Sequence, residues 1–241
     1  MNGSMGGVAG FRSAAIVAAA LVVASIILGA FFYAARASED TIQVVGMASQ
    51  PFEADQVKWT LGISRTTPLR DLQAGYRGIA ADVRRVLDGL QTSGIPADAV
   101  TLQPVTTNPV YGPNGIDRYQ IAQSLFLVSE NLDAVEELAL NPAGLLGPDV
   151  LLQTSRLEYF YSGLAEVKRS LLADATADAG RRAAEIAGSA GSTVSGIRSA
   201  RAGVFQITEP FSTDVAAYGI HDTSSRKKEI RVTVHTVFAL K

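Results

Sequence analysis

Residues Gln56–Gly94 read QVKWTLGISRTTPLRDLQAGYRGIAADVRRVLDGLQTSG, and the hydrophobic period changes half-way along. Over 56–66, Val57, Trp59, Leu61 and Ile63 alternate with Lys58, Thr60 and Ser64. That two-residue period belongs to a strand with one buried face. Leu69, Leu72, Tyr76, Ile79, Val83, Val86 and Leu90 then recur three or four apart, the period of an amphipathic helix. Thr67-Pro68 supplies an N-cap with proline at the first helical position, and Ser93-Gly94, with Pro96 just beyond, supplies a stop. A one-faced strand feeding a one-striped helix buries both apolar surfaces only if the helix lies on the sheet, so the fold class is α+β.

Working outward, Thr41–Met47 reads as a preceding strand. Downstream, 99–108 and 117–129 read as a hairpin joined through Pro109, Gly112, Pro113, Asn114 and Gly115. Pro104 and Pro109 place the first of that pair at a sheet edge, where a missing N–H does least harm. Asn131 caps a short helix over Leu132–Leu140, and 149–161 reads as a strand. A long helix follows over 163–187, then strands over 193–207 and 229–240. Strand–long helix–strand–strand thus occurs twice, at 56–129 and 149–240. Each half is expected to lay one amphipathic helix on antiparallel sheet. The second helix carries an alanine stripe (Ala175, Ala179, Ala183, Ala187) that suits close packing inside the domain.

From Ser13 to Ala35 there is no charged residue. Twenty-three residues at a rise of about 1.5 Å cover the roughly 30 Å of a bilayer's hydrocarbon. Phe31, Phe32 and Tyr33 stand at the far end, where aromatic rings favour the membrane interface. Two readings stay open: an uncleaved signal anchor, or a signal peptide cleaved after Ala35-Arg36-Ala37, before Ser38. The expected organisation is a short cytoplasmic 1–12, a transmembrane helix 13–35, a linker 36–40 and one domain over 41–241. Because a short leading segment stays in the cytoplasm, the domain is expected on the outer side. One arginine on each flank (Arg12, Arg36) gives no orientation by charge.

Composition excludes several chemistries. The chain has no cysteine, which removes disulfides, thiolate metal sites and cysteine nucleophiles. Only two histidines exist, His221 and His235, so multi-histidine metal centres are nearly excluded. With 21 basic and 23 acidic residues and no basic stripe, nucleic acid is not an expected partner. Phosphate-loop, dinucleotide, HExxH and G-x-S-x-G motifs are all missing from the sequence. The expectation is therefore a non-enzymatic protein with no cofactor and no metal.

The most informative surface feature is the segment 210–228, rich in Ser, Thr, Asp and Gly and long for a structureless loop. It holds Tyr218 and His221 and ends on Arg226-Lys227-Lys228, cations suited to an acidic partner, a lipid headgroup or a neighbouring subunit. Candidate contact residues are Tyr159, Tyr161, Tyr218, His221, Arg226 and Lys227. A pocket lined by Tyr159, Tyr161, Tyr218 or Arg226 would mark a binding module; a continuous apolar patch on a helix face or sheet edge would mark assembly.

The order of motifs resembles the SIMPL-domain family of bacterial envelope proteins. Carrying it are Ile42-Gln43-Val44-Val45-Gly46, then Val57-Lys58-Trp59-Thr60-Leu61, then Gly94-Ile95 and Val100-Thr101-Leu102-Gln103-Pro104. Tyr159-Phe160-Tyr161-Ser162-Gly163-Leu164, Gly203-Val204-Phe205-Gln206-Ile207 and Lys228-Glu229-Ile230-Arg231-Val232-Thr233-Val234 complete it. The resemblance implies a periplasmic or membrane-anchored protein, homo-oligomeric in some relatives as rings or channel-like assemblies, and linked in some to oxidative or envelope stress. It brings no catalytic residues. The ligand and the subunit number stay open at this point.

Overall fold

The computed structural model describes residues 6–36 and 40–241, with side chains for 16–33 and 40–241. The cleavage reading at Ala37-Ser38, and the first five residues of the expected cytoplasmic segment, lie outside the described residues.

Helix α1 spans Gly6–Arg36. Its stretch Ile16–Tyr33 has a mean hydropathy of 2.5 and no buried residue. Length and composition suit crossing a membrane, as an anchor or as a signal sequence.

The rest of the chain forms two sheets with helices. The first sheet contains β2 (Gln56–Pro68), β3 (Val100–Leu102), β4 (Thr106–Gly112), β5 (Gly115–Ser129) and β6 (Leu151–Phe160). Its order is β3-β5-β2-β6, with β4 also running along β5. The second contains β1 (Thr41–Glu53), β7 (Val194–Ala202), β8 (Gln206–Thr208), β9 (Ile220–His221) and β10 (Lys227–Leu240). Its order is β1-β10-β8-β9, with β7 also on β10. Helices α2 (Leu72–Thr92), α3 (Leu132–Leu140) and α4 (Leu164–Ser189) complete the fold. The expected repeat of halves is thus present in chain order but exchanged in space. Strand β6, which opens the second half, joins the first sheet on β2, while β1 joins the second.

The chain divides into a larger unit (44–182 and 200–236) and a smaller one (1–43, 183–199 and 237–241). In the larger unit, Val57, Trp59, Leu61 and Ile63 of β2 meet Ile79, Val83, Val86 and Leu90 of α2. Ile121, Leu125 and Leu127 of β5 and Leu132 and Val135 of α3 close that core. Burying such aliphatic and aromatic side chains is worth roughly 1.5–3 kcal/mol each. A second core joins Leu171 and Ala175 of α4 to Ile207, Ile230, Val232 and Val234. In the smaller unit, Thr193 and Lys241 exchange backbone hydrogen bonds of 3.0 and 2.8 Å, and Leu240 N–H donates to Asp40 O at 2.8 Å. All four alanines of the stripe are buried. Within the larger unit Ala175 and Ala179 face Gly46 so closely that no side chain fits there.

Several local expectations are corrected. Thr67-Pro68 is not the start of α2. Both residues stay in β2, opposite Tyr119 and Arg118, because β5 is long enough to extend the pairing. A 3-10 turn at Leu69–Asp71 then leads into the helix, which does stop at Thr92, ahead of Gly94 at φ +82°. The loop expected at 109–115 shrinks to Pro113-Asn114, since Val110, Tyr111 and Gly112 continue pairing with β5. Pro109 lies on the outer strand of that pair, as its missing N–H demands. The strand expected over 193–207 breaks at 203–205 into β7 and β8. The loop 210–228 is not structureless: β9 runs parallel to β8, with Ile207 opposite His221, and Lys227 already begins β10. Asn131 caps α3 as expected, its Oδ1 accepting from Ala134 N–H at 3.3 Å.

Candidate functional site

Arg226 sits one residue before β10, and its carbonyl accepts Ala54 N–H at 2.9 Å. Its guanidinium reaches three carboxylates: Nε lies 2.7 Å from Glu53 Oε1, and Nη1 lies 2.5 Å from Asp133 Oδ1 and 3.4 Å from Glu136 Oε2. Asp133 lies in the first turn of α3, where the helix dipole favours negative charge, and Glu136 follows one turn on. Tyr159 on β6 hydrogen-bonds Glu136. Burial first, and then Glu136, push its phenol up to about 12, against a smaller opposing pull from Arg226. A recess of about 450 Å³ opens beside this cluster, among Asp55, Glu130, Asn131, Asp133 and Arg226. Asp55 in turn accepts hydrogen bonds from the N–H of Ser162 (2.8 Å) and from its hydroxyl. The guanidinium is thereby engaged by protein acids on several sides. It clasps the end of β1, the start of α3 and the start of β10 together.

A second cluster fastens the chain between β9 and β10. Lys228 is 2% exposed; its ammonium donates to Asp222 O at 2.6 Å and lies 3.7 Å from Asp222 Oδ2. Asp222 also accepts from Ser224 N–H (2.9 Å), Ser224 Oγ (2.8 Å) and Ser225 Oγ (2.9 Å). Burial alone would raise the Asp222 carboxyl, but those hydrogen bonds and Lys228 outweigh it and hold the group at about 2. Burial lowers the Lys228 ammonium against the pull of Asp222.

The third feature is the loop 209–219. Its base is fixed by Gln206, whose Nε2 donates to Ala216 O at 2.8 Å while its Oε1 accepts from Ala216 N–H at 3.4 Å. Beneath lies an apolar recess of about 380 Å³ walled by Val204, Gln206, Val215, Ala216, Ala217 and Val232. Phe211 and Tyr218 are 96% and 91% exposed, and Val215, on the wall of the recess, is 74% exposed.

The family model for SIMPL, described as a protein of unknown function (DUF541), matches residues 42–238. The chain belongs to the SIMPL family. No curated protein matches it.

On this SIMPL domain the six residues singled out in the sequence separate. Tyr159 and Arg226 come together through Glu136. Tyr161 packs its ring on Phe52, with centroids 5.2 Å apart and planes at 48°. Tyr218, His221 and Lys227 are exposed on the loop, on β9 and at the start of β10. No single cleft gathers all six. Sequence reasoning placed Lys228 among the outward cations and missed its burial against Asp222, although a signal existed: Lys228 falls in alternation with Ile230, Val232 and Val234 on the buried face. It also missed Phe211. Gly203, Val204 and Gln206 of the family stretch 203–207 line the apolar recess.

Proposed function

We propose that this SIMPL protein is a non-enzymatic envelope protein of the bacterial cell membrane. It is held by α1, with its soluble domain on the periplasmic side, and associates with copies of itself as a scaffold or channel-like assembly. The observation carrying this reading is the display of Phe211, Val215 and Tyr218 on one loop, since a grouped apolar surface on a soluble domain marks a contact site. Tethering supports it: copies confined to one membrane plane meet at a raised effective concentration, which strengthens weak lateral contacts. A role in protection against oxidative or envelope stress rests on the family resemblance. It is tested by comparing survival of cells with and without the gene under those stresses.

A second reading is favoured by the recess of about 380 Å³ under the loop: a periplasmic binding module that recruits a peptide, a protein or a small apolar ligand there. The mass of the full chain in mild detergent, beside a chain starting at Ser38, separates the two. A discrete oligomer in both supports assembly by the soluble domain. An oligomer only with α1 moves association into the membrane. A monomer in both overturns the assembly reading and leaves the binding module to be tested by ligand screening.

A further inference from the structure

Phe211 occupies a turn built as if for another residue. Ser212 N–H donates to Glu209 O at 3.3 Å, Pro210 stands second in the turn, and Phe211, third, has φ +66°. Proline at the second position with positive φ at the third describes a type II turn, whose third position favours glycine or asparagine. Among the described residues, Phe211 is the one non-glycine residue with positive φ. An L-residue held there carries strain, and the ring, 96% exposed, recovers nothing inside its own chain. A bulky apolar side chain held at a strained tip is organised for a contact beyond the monomer.

The same chain carries a matching hole. The recess under the loop has apolar walls (Val204, Val215, Ala217, Val232) and, at about 380 Å³, room for an aromatic ring with its flanking residues. Charge agrees with shape. Phe211 lies between two exposed acids, Glu209 and Asp214, while exposed Arg201 adjoins Ala202 on the wall of the recess; Arg231, which also lines it, is paired with Glu229 at 3.2 Å. An acidic-flanked apolar knob and an arginine-rimmed apolar hole suit each other.

We infer that Phe211 of one copy seats in the recess of a second copy, with Glu209 and Asp214 meeting Arg201 at the rim. The inference rests on the self-association reading above and names its contact. Each copy offers both, and the contact closes as a pair or propagates into a ring according to its rotation.

The test uses the full chain in mild detergent, its mass followed by sedimentation across a dilution series. Phe211→Gly removes the ring and relieves the positive φ, so folding is preserved. It is expected to weaken self-association roughly 10- to 150-fold, the worth of burying one phenylalanine. Val204→Asp, which makes the hole polar, is expected to do the same. Mixing the two variants restores one intact contact, Phe211 of the second in the recess of the first, and mixed pairs form where neither variant pairs alone. The chain has no cysteine, so Thr213→Cys and Ala202→Cys in separate copies report the contact directly by a disulfide between unlike copies.

If the natural chain is monomeric throughout, the assembly reading itself falls. If it assembles and Phe211→Gly assembles equally well, assembly stands and this contact is overturned. An environment-sensitive dye on Thr213→Cys, buried in nanodiscs holding a single copy, would place the knob in lipid and also overturn it.

Discussion

Replacing Gly46 with alanine should loosen the second core more than any surface change of the same size. A methyl group there would lie 2.1 Å from Ala175 O, 2.5 Å from Ala179 N and 2.8 Å from Ala179 Cβ. Ordinary contact begins at 3.4 Å, so α4 would have to withdraw from β1 by about 1.3 Å (3.4 minus 2.1). The two closest atoms are backbone and cannot rotate aside. Overpacking a well-filled core costs about 1–3 kcal/mol, and with no side chain able to yield the upper end applies. Withdrawal would also stretch the bond from Met47 N–H to Asp178 Oδ2, now 3.0 Å, and open the contacts of Leu171 and Ala175 in the second core.

The assay is equilibrium unfolding in urea with a thermal scan beside it. In a domain of this size 1 kcal/mol moves the midpoint by about 2–4 °C, so Gly46→Ala is expected to lower it by roughly 6–12 °C. A control sharpens the reasoning. Ala179→Gly in the Gly46→Ala background removes the 2.8 Å contact but leaves the 2.1 Å one, so it should not restore stability. A midpoint for Gly46→Ala within about 2 °C of the natural chain would refute the close approach of β1 and α4.

Two pH limbs follow from the clusters around the loop. Asp222 titrates at about 2 in the folded chain against an ordinary 3.8, so its contribution to stability is complete above pH 3.8 and is lost as pH falls toward 2. Asp222→Asn should flatten that limb when urea midpoints are compared across it. Tyr159 titrates at about 12 against an ordinary 10, so its contribution is complete below pH 10 and is lost as pH rises toward 12. Tyr159→Phe should remove that alkaline limb, and with it the last-titrating fraction of the tyrosinate absorbance. Unchanged limbs in either variant would show that the clusters do not hold these groups as described.

Much of the fold was legible because burial here follows period. The alternation of Val57, Trp59, Leu61 and Ile63 and the spacing of Ile79, Val83, Val86 and Leu90 report the buried faces of β2 and α2 directly. Pairing between sheets was not legible. Local pattern says that β6 is a strand, but only the long-range geometry says that Glu158 lies opposite Lys58 of β2 rather than opposite a neighbour in its own half. The same limit explains Thr67-Pro68: as a dipeptide it is a sound helix start, and a strand of partner residues at Arg118 and Tyr119 overrides it.

The site was harder to read for a related reason. The charges at 226–228 look like one solvated run, yet strand alternation sends them three ways. Arg226 goes to the acids of α3, Lys227 to solvent, and Lys228 inward onto Asp222. Two of the three cations offered as partner contacts are thus spent inside the chain. The residue most available to a partner is Phe211, an apolar one that no motif marks. Its signal is conformational: Glu209-Pro210 announces a turn, and a phenylalanine where glycine would be free of strain shows that the turn is kept for what the ring does outside the monomer.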